Sequence, residues 1–195
     1  MEHIILASES PRRQEFFRLL GLPFSCIAPH VDESIDEHAE PKAAVEELAQ
    51  RKVRKAVEML TDDPPLWVCG ADTIIALDGR IYGKPRDRLD AGDMLRALAG
   101  RSHQVWSAVA LYSHRAQTLD CRSVASDVCF APLSAGEIEW YLDSGEWQDA
   151  AGAYKIQGLA SCFISSINGA YSSIVGLPLR EFYVMLRDNK YPYGA

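Results

Sequence analysis

The sequence predicts a mixed α/β fold organised by one large mixed β-sheet. Strand-like runs are spread over the whole length of the 195 residues, and helical patterns with recognisable start and stop signals lie between them. No internal repeat, low-complexity segment or long linker separates one part of the chain from another. We therefore expect a single domain over residues 1–195.

Local signals place the elements of the first half of the chain. Ser10 is a good N-cap residue, Pro11 suits the first position of a helix, and Gly21 ends that helix. Pro41 opens a long helix, which an approximate apolar stripe extends to about Leu60. Extended apolar runs predict strands over 3–7, 24–28 and 67–77.

Turn and capping signals define the second half. The pair Asp78-Gly79 predicts a hairpin turn before a short strand over 80–82. Asp87 caps a helix that Gly100 closes, and a capping box that begins at Ser134 starts another. The remaining predicted elements are strands over 103–112 and 119–130, extended runs around Ile156 and over 162–167, and a final helix over 179–187.

Charge and cysteine content narrow the class of protein. The net charge of −7 argues against binding to a nucleic acid polymer, yet basic residues are grouped at 12–18, 51–55 and 84–88, which suits a small anionic ligand. No apolar run approaches the length of a membrane span, and the N-terminus lacks the pattern of a signal peptide. The five scattered cysteines predict buried, reduced thiols. A cytoplasmic location without membrane contact is the expectation.

The segment between the first strand and the first helix predicts an anion site. Arg12 and Arg13 fall in the first turn of the helix, where the macrodipole disfavours each cation by roughly 0.3–1 kcal/mol. Free backbone N–H groups, the hydroxyls of Ser8 and Ser10, and the two guanidiniums together favour binding of phosphates. The alternative is that both arginines are solvated surface residues.

Two carboxylates and a lysine predict phosphoryl chemistry. Asp72 lies inside an apolar strand, where a carboxylate is costly unless a cation, a metal ion or a catalytic role accounts for it. Lys84 stands between Gly83 and Pro85 on a turn that suits a phosphate contact, and Glu33 lies on a loop after a strand. This set fits metal-assisted attack on a polyphosphate. A buried salt bridge at Asp72 and a plain surface position for Lys84 are the alternatives.

These motifs taken together resemble one family. They are Leu6-Ala7-Ser8-Glu9-Ser10-Pro11-Arg12-Arg13, Leu48-Ala49-Gln50-Arg51-Lys52, Gly70-Ala71-Asp72-Thr73, Gly83-Lys84-Pro85, Ala151-Gly152-Ala153-Tyr154-Lys155-Ile156-Gln157-Gly158 and Val175-Gly176-Leu177-Pro178. In this order, from about Ile4 to Leu186, the chain resembles the Maf family of nucleoside triphosphate pyrophosphatases. The resemblance implies a fold similar to that of inosine triphosphate pyrophosphatases, with an elongated mixed sheet flanked by helices in two lobes and a central cleft.

The resemblance also implies a reaction and a set of roles. A nucleoside triphosphate and water would give the monophosphate and pyrophosphate, with a divalent cation, Mg²⁺ or Mn²⁺, as cofactor. Asp72 would be the base for the water or a ligand of the metal, which Glu33 would help to hold. The triphosphate would be bound by Ser8, Arg12, Arg13, Lys52 and Lys84. Members of the family often form homodimers, so a homodimer is expected.

Three positions point to the base. At Arg12, Thr73 and Gln157 the chain resembles family members that act on dTTP and UTP, whereas members that act on 7-methylguanosine triphosphate have a tryptophan and a glutamate in place of Arg12 and Gln157. The Gln157 amide can donate to one carbonyl of a pyrimidine imide and accept from its N–H, and the Thr73 hydroxyl can serve either side. The alternative for Gln157 is a satisfied sheet residue.

Some positions depart from the family pattern, and other functions stay open. Ala150 stands where the family usually has a lysine, and Lys155 stands where it usually has a glycine. Besides a dTTP and UTP pyrophosphatase that cleanses nucleotide pools, we consider a pyrophosphatase for another modified nucleotide. The third candidate is a nucleotide-binding regulator of cell division without turnover, which would not need Glu33 and Asp72.

Overall fold

A seven-stranded sheet organises the computed structural model, which describes residues 1–60 and 65–193. The strands are β1 (Ile4–Leu6), β2 (Phe24–Cys26), β3 (Trp67–Leu77), β4 (Arg80–Tyr82), β5 (Ser102–Ser113), β6 (Thr118–Phe130) and β7 (Ile164–Asn168). The helices are α1 (Pro11–Leu19), α2 (Pro41–Met59), α3 (Arg88–Leu98), α4 (Ala135–Asp143), α5 (Tyr171–Val175) and α6 (Leu179–Asp188). Two short 3₁₀ helices cover Ala151–Ala153 and Leu159–Phe163. Among these described helices, none is long and apolar enough to cross a membrane.

The sheet is mixed, and its strands run in the order β2-β1-β3-β5-β6-β7. The pairs β1–β2 and β1–β3 are parallel, and the pairs β3–β5, β5–β6 and β6–β7 are antiparallel. One edge of β3 pairs with β5. Along its other edge, β3 pairs with β1 at residues 67–69 and with β4 at residues 75–77. Residues 70–74 therefore lie in a gap between two partner strands. The predicted α/β class with a large mixed sheet is confirmed.

Alternation along β3 divides the core into three apolar clusters. Val68 and Ile74 face α2, which covers one side of the sheet. Cys69 belongs to a cluster with α1 and α6, and Ile75 belongs to a cluster with α3 and α4. Since both residues have odd numbers, these two clusters lie on the same side of the sheet, at the two ends of β3. They correspond to the two lobes that the resemblance implies.

Most elements form where local signals predict them. Asp78 and Gly79 both adopt positive φ, at 53° and 75°, as a two-residue hairpin turn of this kind requires. The Asp87 side chain accepts from the backbone of Asp90, and the capping box at Ser134 is complete. Other elements end within a few residues of their predicted limits.

Two local predictions are wrong, and a third, the N-cap at Ser10, is confirmed only in its position. The run around Ile156 is a turn between the two 3₁₀ helices, because Ile156 packs into the cluster with α3 and α4 without joining a strand ladder. Ser10 takes the N-cap position, but its side chain makes no cap hydrogen bond. Of the cysteines, Cys69 is buried and Cys162 is exposed, and the other three are intermediate. Helix α5 was not predicted.

Candidate functional site

The gap along β3 holds the carboxylate that the sequence singles out. Asp72 lies at its centre, is 8% exposed, and faces the same side of the sheet as α2. There it forms a salt bridge with Lys52 of α2. The buried salt bridge, one of the alternatives for this residue, is therefore present. It lies at the only stretch of this β3 edge, within the described residues, that no neighbouring strand covers.

Lys52 joins Asp72 to a second carboxylate. The lysine is 7% exposed, and besides Asp72 its Nζ contacts Glu33 Oε1 at 2.6 Å. The other Glu33 oxygen, Oε2, accepts from Lys84 Nζ at 3.0 Å. Carboxylate and ammonium groups thus alternate in one continuous cluster. Lys52 belongs to a basic group for which a solvated helix face was the alternative, and its burial excludes that alternative for this residue.

The cluster changes the titration of Glu33. Burial raises the pKa of its carboxyl, but hydrogen bonds and charge from Lys52 and then Lys84 lower it further, so that the pKa falls from about 4.5 to about 2. Glu33 is therefore ionised throughout the physiological range. At neutral pH, the carboxylate of Glu33 remains available to a cation.

The start of α1 presents hydrogen-bond donors. Ser8 Oγ accepts from the Ser10 amide at 3.2 Å and from Arg13 Nη1 at 3.2 Å, so its own hydrogen remains for another acceptor. Because Ser10 provides no side-chain cap, no described side chain accepts from the amides of Arg12 and Arg13. Amides, a hydroxyl and cations at a helix N-terminus fit an anion.

Both arginines of α1 reach toward later parts of the chain. Arg13 Nε donates to the carbonyl oxygen of Gly176 at 2.9 Å, and Arg12 Nη2 contacts that of Asp149 at 3.4 Å. Burial lowers the pKa of Arg13, while the charges of Asp72 and Glu33 raise it. Arg13 therefore lies within the field of the carboxylate cluster. The alternative of two freely solvated arginines is excluded.

Lys84 is half-exposed on the loop that follows β4. The carbonyl oxygen of Gly83 accepts from the amide of Gly152 at 2.9 Å, which ties this loop to the first 3₁₀ helix. Gly152 has φ of 64°, and a Cβ there would overlap the Ile75 side chain. A rigid backbone contact thus positions the lysine.

Thr73 faces the opposite side of β3 from Asp72. Its Oγ1 is 2.8 Å from Ser107 Oγ, directly across the ladder on β5. A Cβ added to Gly176 would lie 3.7 Å from Thr73 Oγ1 and 3.9 Å from Arg13 Nε. Gly176 therefore lies between the side chains of Thr73 and Arg13.

Gln157 lies apart from the other predicted residues. It is exposed on the turn before the second 3₁₀ helix and borders a groove with Tyr171 of α5. The turn is held by Tyr141 Oη, which accepts from the Lys155 amide at 3.2 Å, and by Glu146, which accepts from the Leu159 amide at 2.9 and 3.1 Å. Gln157 is not part of the sheet, so the alternative that it is a satisfied sheet residue is excluded.

Comparisons with known proteins show the family to which this chain belongs. The profile of the family described as Maf-like protein matches residues 3–189. The chain belongs to the Maf-like family. It is 47% identical over 98% of its length to the dTTP/UTP pyrophosphatase of Symbiobacterium thermophilum, of which it covers 96%. The chain is 46% identical to the dTTP/UTP pyrophosphatase of Salmonella typhimurium over 95% of its own length and 92% of that protein. It is 40% identical to that of Bacillus velezensis over 96% of each chain.

A solved structure also overlaps with this Maf-like protein. The Ham1 protein of Staphylococcus aureus is 15% identical, with a TM-score of 0.44 over 66% of this chain and 72% of its own. The assignment to the Maf-like family does not depend on this overlap.

Reasoning from the sequence missed two residues of this Maf-like site. Ser107 is a polar residue inside the apolar run of β5, the same signal that drew attention to Asp72, and the pairing of β3 with β5 places it opposite Thr73. Glu146 holds the turn that carries Gln157, and a Cβ on Gly158 would overlap its carboxylate. No local signal distinguishes Glu146 from other surface glutamates.

The two departures from the family pattern occupy different environments in this Maf-like protein. Ala150 is 2% exposed, so a buried methyl group stands where the family usually has a lysine. Lys155 is partly exposed, and its amide donates to Tyr141. His103 is buried and pairs with Tyr154 Oη at 2.8 Å, and burial lowers its pKa to about 4.

Proposed function

We propose that this Maf-like protein hydrolyses dTTP and UTP to the monophosphate and pyrophosphate. The observation that carries the proposal is the partly buried cluster in which Lys52 joins Asp72 to Glu33 beside Lys84 and Arg13. It combines two carboxylates with cations at the gap in β3. Relatives at 40–47% identity over nearly the whole chain are named dTTP/UTP pyrophosphatases.

Asp72 is the base in this proposal. Its Oδ1 is bonded to Lys52, and no described side chain donates to Oδ2, which can accept a proton from an attacking water. The water would attack the α-phosphorus, and pyrophosphate would leave. Ser8, the free amides of α1, Arg13 and Lys84 would stabilise the charge of the triphosphate and the leaving group.

A divalent cation such as Mg²⁺ fits the same carboxylates. Within the described residues no three acidic, histidine or cysteine side chains form a metal cluster, so the protein offers two ligands, Glu33 and Asp72. Mg²⁺ is often held by one or two carboxylates together with phosphate oxygens and waters. The cation would polarise phosphate oxygens and lower the pKa of a bound water.

The nucleobase of the substrate would lie toward Thr73 and the turn that carries Gln157. Arg12 extends from α1 toward the carbonyl oxygen of Asp149, on the same side. A pyrimidine imide presents two carbonyl acceptors beside one N–H donor, which an amide and a hydroxyl can match. Arg12 would repel the cationic base of 7-methylguanosine triphosphate.

The experiment that tests this function measures pyrophosphate release from a panel of nucleoside triphosphates, with Mg²⁺ present and then chelated. We expect dTTP and UTP to be preferred, 7-methylguanosine and inosine triphosphates to be poor substrates, and chelation to stop release. Nucleotide binding without release from any member of the panel would instead identify a non-catalytic regulator. A preference for a modified purine nucleotide would overturn the substrate assignment.

Replacing either phosphate-binding cation should weaken catalysis for every base alike. Lys84→Ala and Arg13→Ala each remove a charge aimed at the triphosphate, so we expect kcat/KM to fall by about tenfold or more for dTTP, UTP and poor substrates together. Lys55→Ala is the matched control, because Lys55 lies exposed on α2 and pairs with Glu58. A variant that affected UTP and GTP very differently would place its residue in the base pocket.

Gln157→Glu should lower pyrimidine turnover, because a carboxylate cannot donate to a base carbonyl. We expect kcat/KM for UTP and dTTP to fall by about tenfold, roughly the effect of one unpaired polar group. Gln117→Glu introduces the same charge in the turn between β5 and β6, with no expected change. Unchanged UTP kinetics in Gln157→Glu would remove Gln157 from the base contact.

Two further parts of the proposal come from the family resemblance, for the homodimer, and from the sequence pattern, for the location. We propose a homodimer and a cytoplasmic location. Trp140 is half-exposed on α4 and packs edge-on against Phe163, which leaves an apolar surface available to a second copy.

A further inference from the structure

A chain of buried hydroxyl groups leads from Thr73 into the protein. Thr73 Oγ1 lies 2.8 Å from Ser107 Oγ, which lies 2.6 Å from the carbonyl oxygen of Ser173 on α5. Ser107 and Ser173 are 0% exposed, so water does not reach them. The partners of each hydroxyl are therefore those that the fold supplies.

These contacts fix which atom is the donor. A hydroxyl has one hydrogen, and a carbonyl oxygen can only accept, so Ser107 donates its hydrogen to Ser173. Ser107 can then only accept from Thr73, which must donate its own hydrogen to Ser107. Thr73 is left with lone pairs alone on the side that faces away from Ser107.

The hydroxyls of Ser173 and Ser126 form a separate set of hydrogen bonds that does not alter this direction, because Ser107 contacts only the backbone carbonyl of Ser173. Ser173 Oγ donates to the carbonyl oxygen of Ala170 at 2.7 Å, so in its 2.9 Å contact with Ser126 Oγ it accepts. Ser126 in turn accepts from the Ala170 amide at 3.1 Å. Each of these hydroxyls donates once, in a single direction.

We propose that Ser107 is a positioning residue for base selection, since it makes Thr73 an acceptor-only contact. The inference rests on the proposed function and sharpens it. Uracil and thymine carry an N–H at ring position 3, which such a threonine can accept. Cytosine carries a lone pair there, so two acceptors would face each other and stay unpaired. Taken by itself, the hydroxyl of Thr73 could serve either side, but in the fold it serves one.

The test compares kcat/KM for CTP and UTP in Ser107→Ala. Without Ser107, the Thr73 hydroxyl can rotate and donate, so the CTP-to-UTP ratio should rise at least about tenfold, mainly through faster CTP turnover. Ser126→Ala is the matched control, because it removes a nearby buried hydroxyl that contacts Ser173 Oγ but leaves the Ser107 contacts in place. It should lower thermal stability without changing the ratio.

Other outcomes separate this inference from the proposed function. If wild type releases no pyrophosphate from UTP or dTTP, the proposed function fails. If wild type prefers UTP over CTP and the ratio is the same in Ser107→Ala and Ser126→Ala, the role of Ser107 fails while the function stands. Should Ser107→Ala not fold, Ser107→Cys fills the same space with a slightly larger side chain and a weaker donor, and it should shift the ratio in the same direction.

Discussion

Asp72→Asn is expected to lower turnover of dTTP and UTP by about 10²-fold or more, since a general base contributes about 10²–10⁴. Asparagine has nearly the same shape and keeps an oxygen that can accept from Lys52, so the fold should persist. Single-turnover kinetics, nucleotide binding and thermal unfolding together separate lost chemistry from lost structure.

The matched control for this change is Asp93→Asn. Asp93 is an exposed residue of α3 that pairs with Arg96, and its loss should leave turnover unchanged. Near-normal turnover in a folded Asp72→Asn protein would move the base elsewhere, and Glu33 is the carboxylate that the cluster offers instead.

Lys52→Met should have the second large effect, because it removes the cation between Asp72 and Glu33. Breaking one partner out of a buried ion pair costs about 3–5 kcal/mol, which should appear as a clear fall in Tm. We also expect turnover to fall about 10²-fold, because two carboxylates would face the triphosphate without their shared cation. Lys55→Met, three residues further along α2, is the control and should change neither quantity.

The dependence of stability on acidic pH gives a second measurement on the Lys52→Met variant. In wild type the pKa of Glu33 is lowered to about 2, so its contribution to stability is present above about 4.5 and is lost as pH falls toward 2. In Lys52→Met only Lys84 still lowers this pKa, so we expect a smaller contribution that is lost at higher pH. Identical unfolding profiles for the two proteins between pH 2 and about 5 would contradict the ionic role of Lys52.

Sequence alone predicted those parts of the fold that depend on local chemistry. The hairpin turn at Asp78-Gly79 and the capping box at Ser134 are specified by neighbouring residues, and they form as predicted. The turn around Ile156 was missed, because its apolar residues are typical of a strand. The features that decide otherwise are contacts with Tyr141 and Glu146.

For the candidate site, sequence predicted residue types better than partners. It identified Asp72 as needing a cation, a metal ion or a catalytic role but did not identify Lys52 as its partner, since that pairing depends on how α2 packs on β3. It placed Thr73 at the base but left its hydrogen-bonding direction open. That direction is set by Ser107 on another strand and by a carbonyl on α5.

The two arginine contacts of α1 also set an order of events during synthesis. Arg12 and Arg13 leave the ribosome well before Asp149 and Gly176, whose carbonyl oxygens hold them. A nascent chain that has emerged only as far as β6 contains both arginines, the carboxylates and Lys84, but neither of these acceptors. The proposed phosphate-binding geometry is thus completed only after Gly176 has emerged, so incomplete chains do not yet present the fully arranged proposed site.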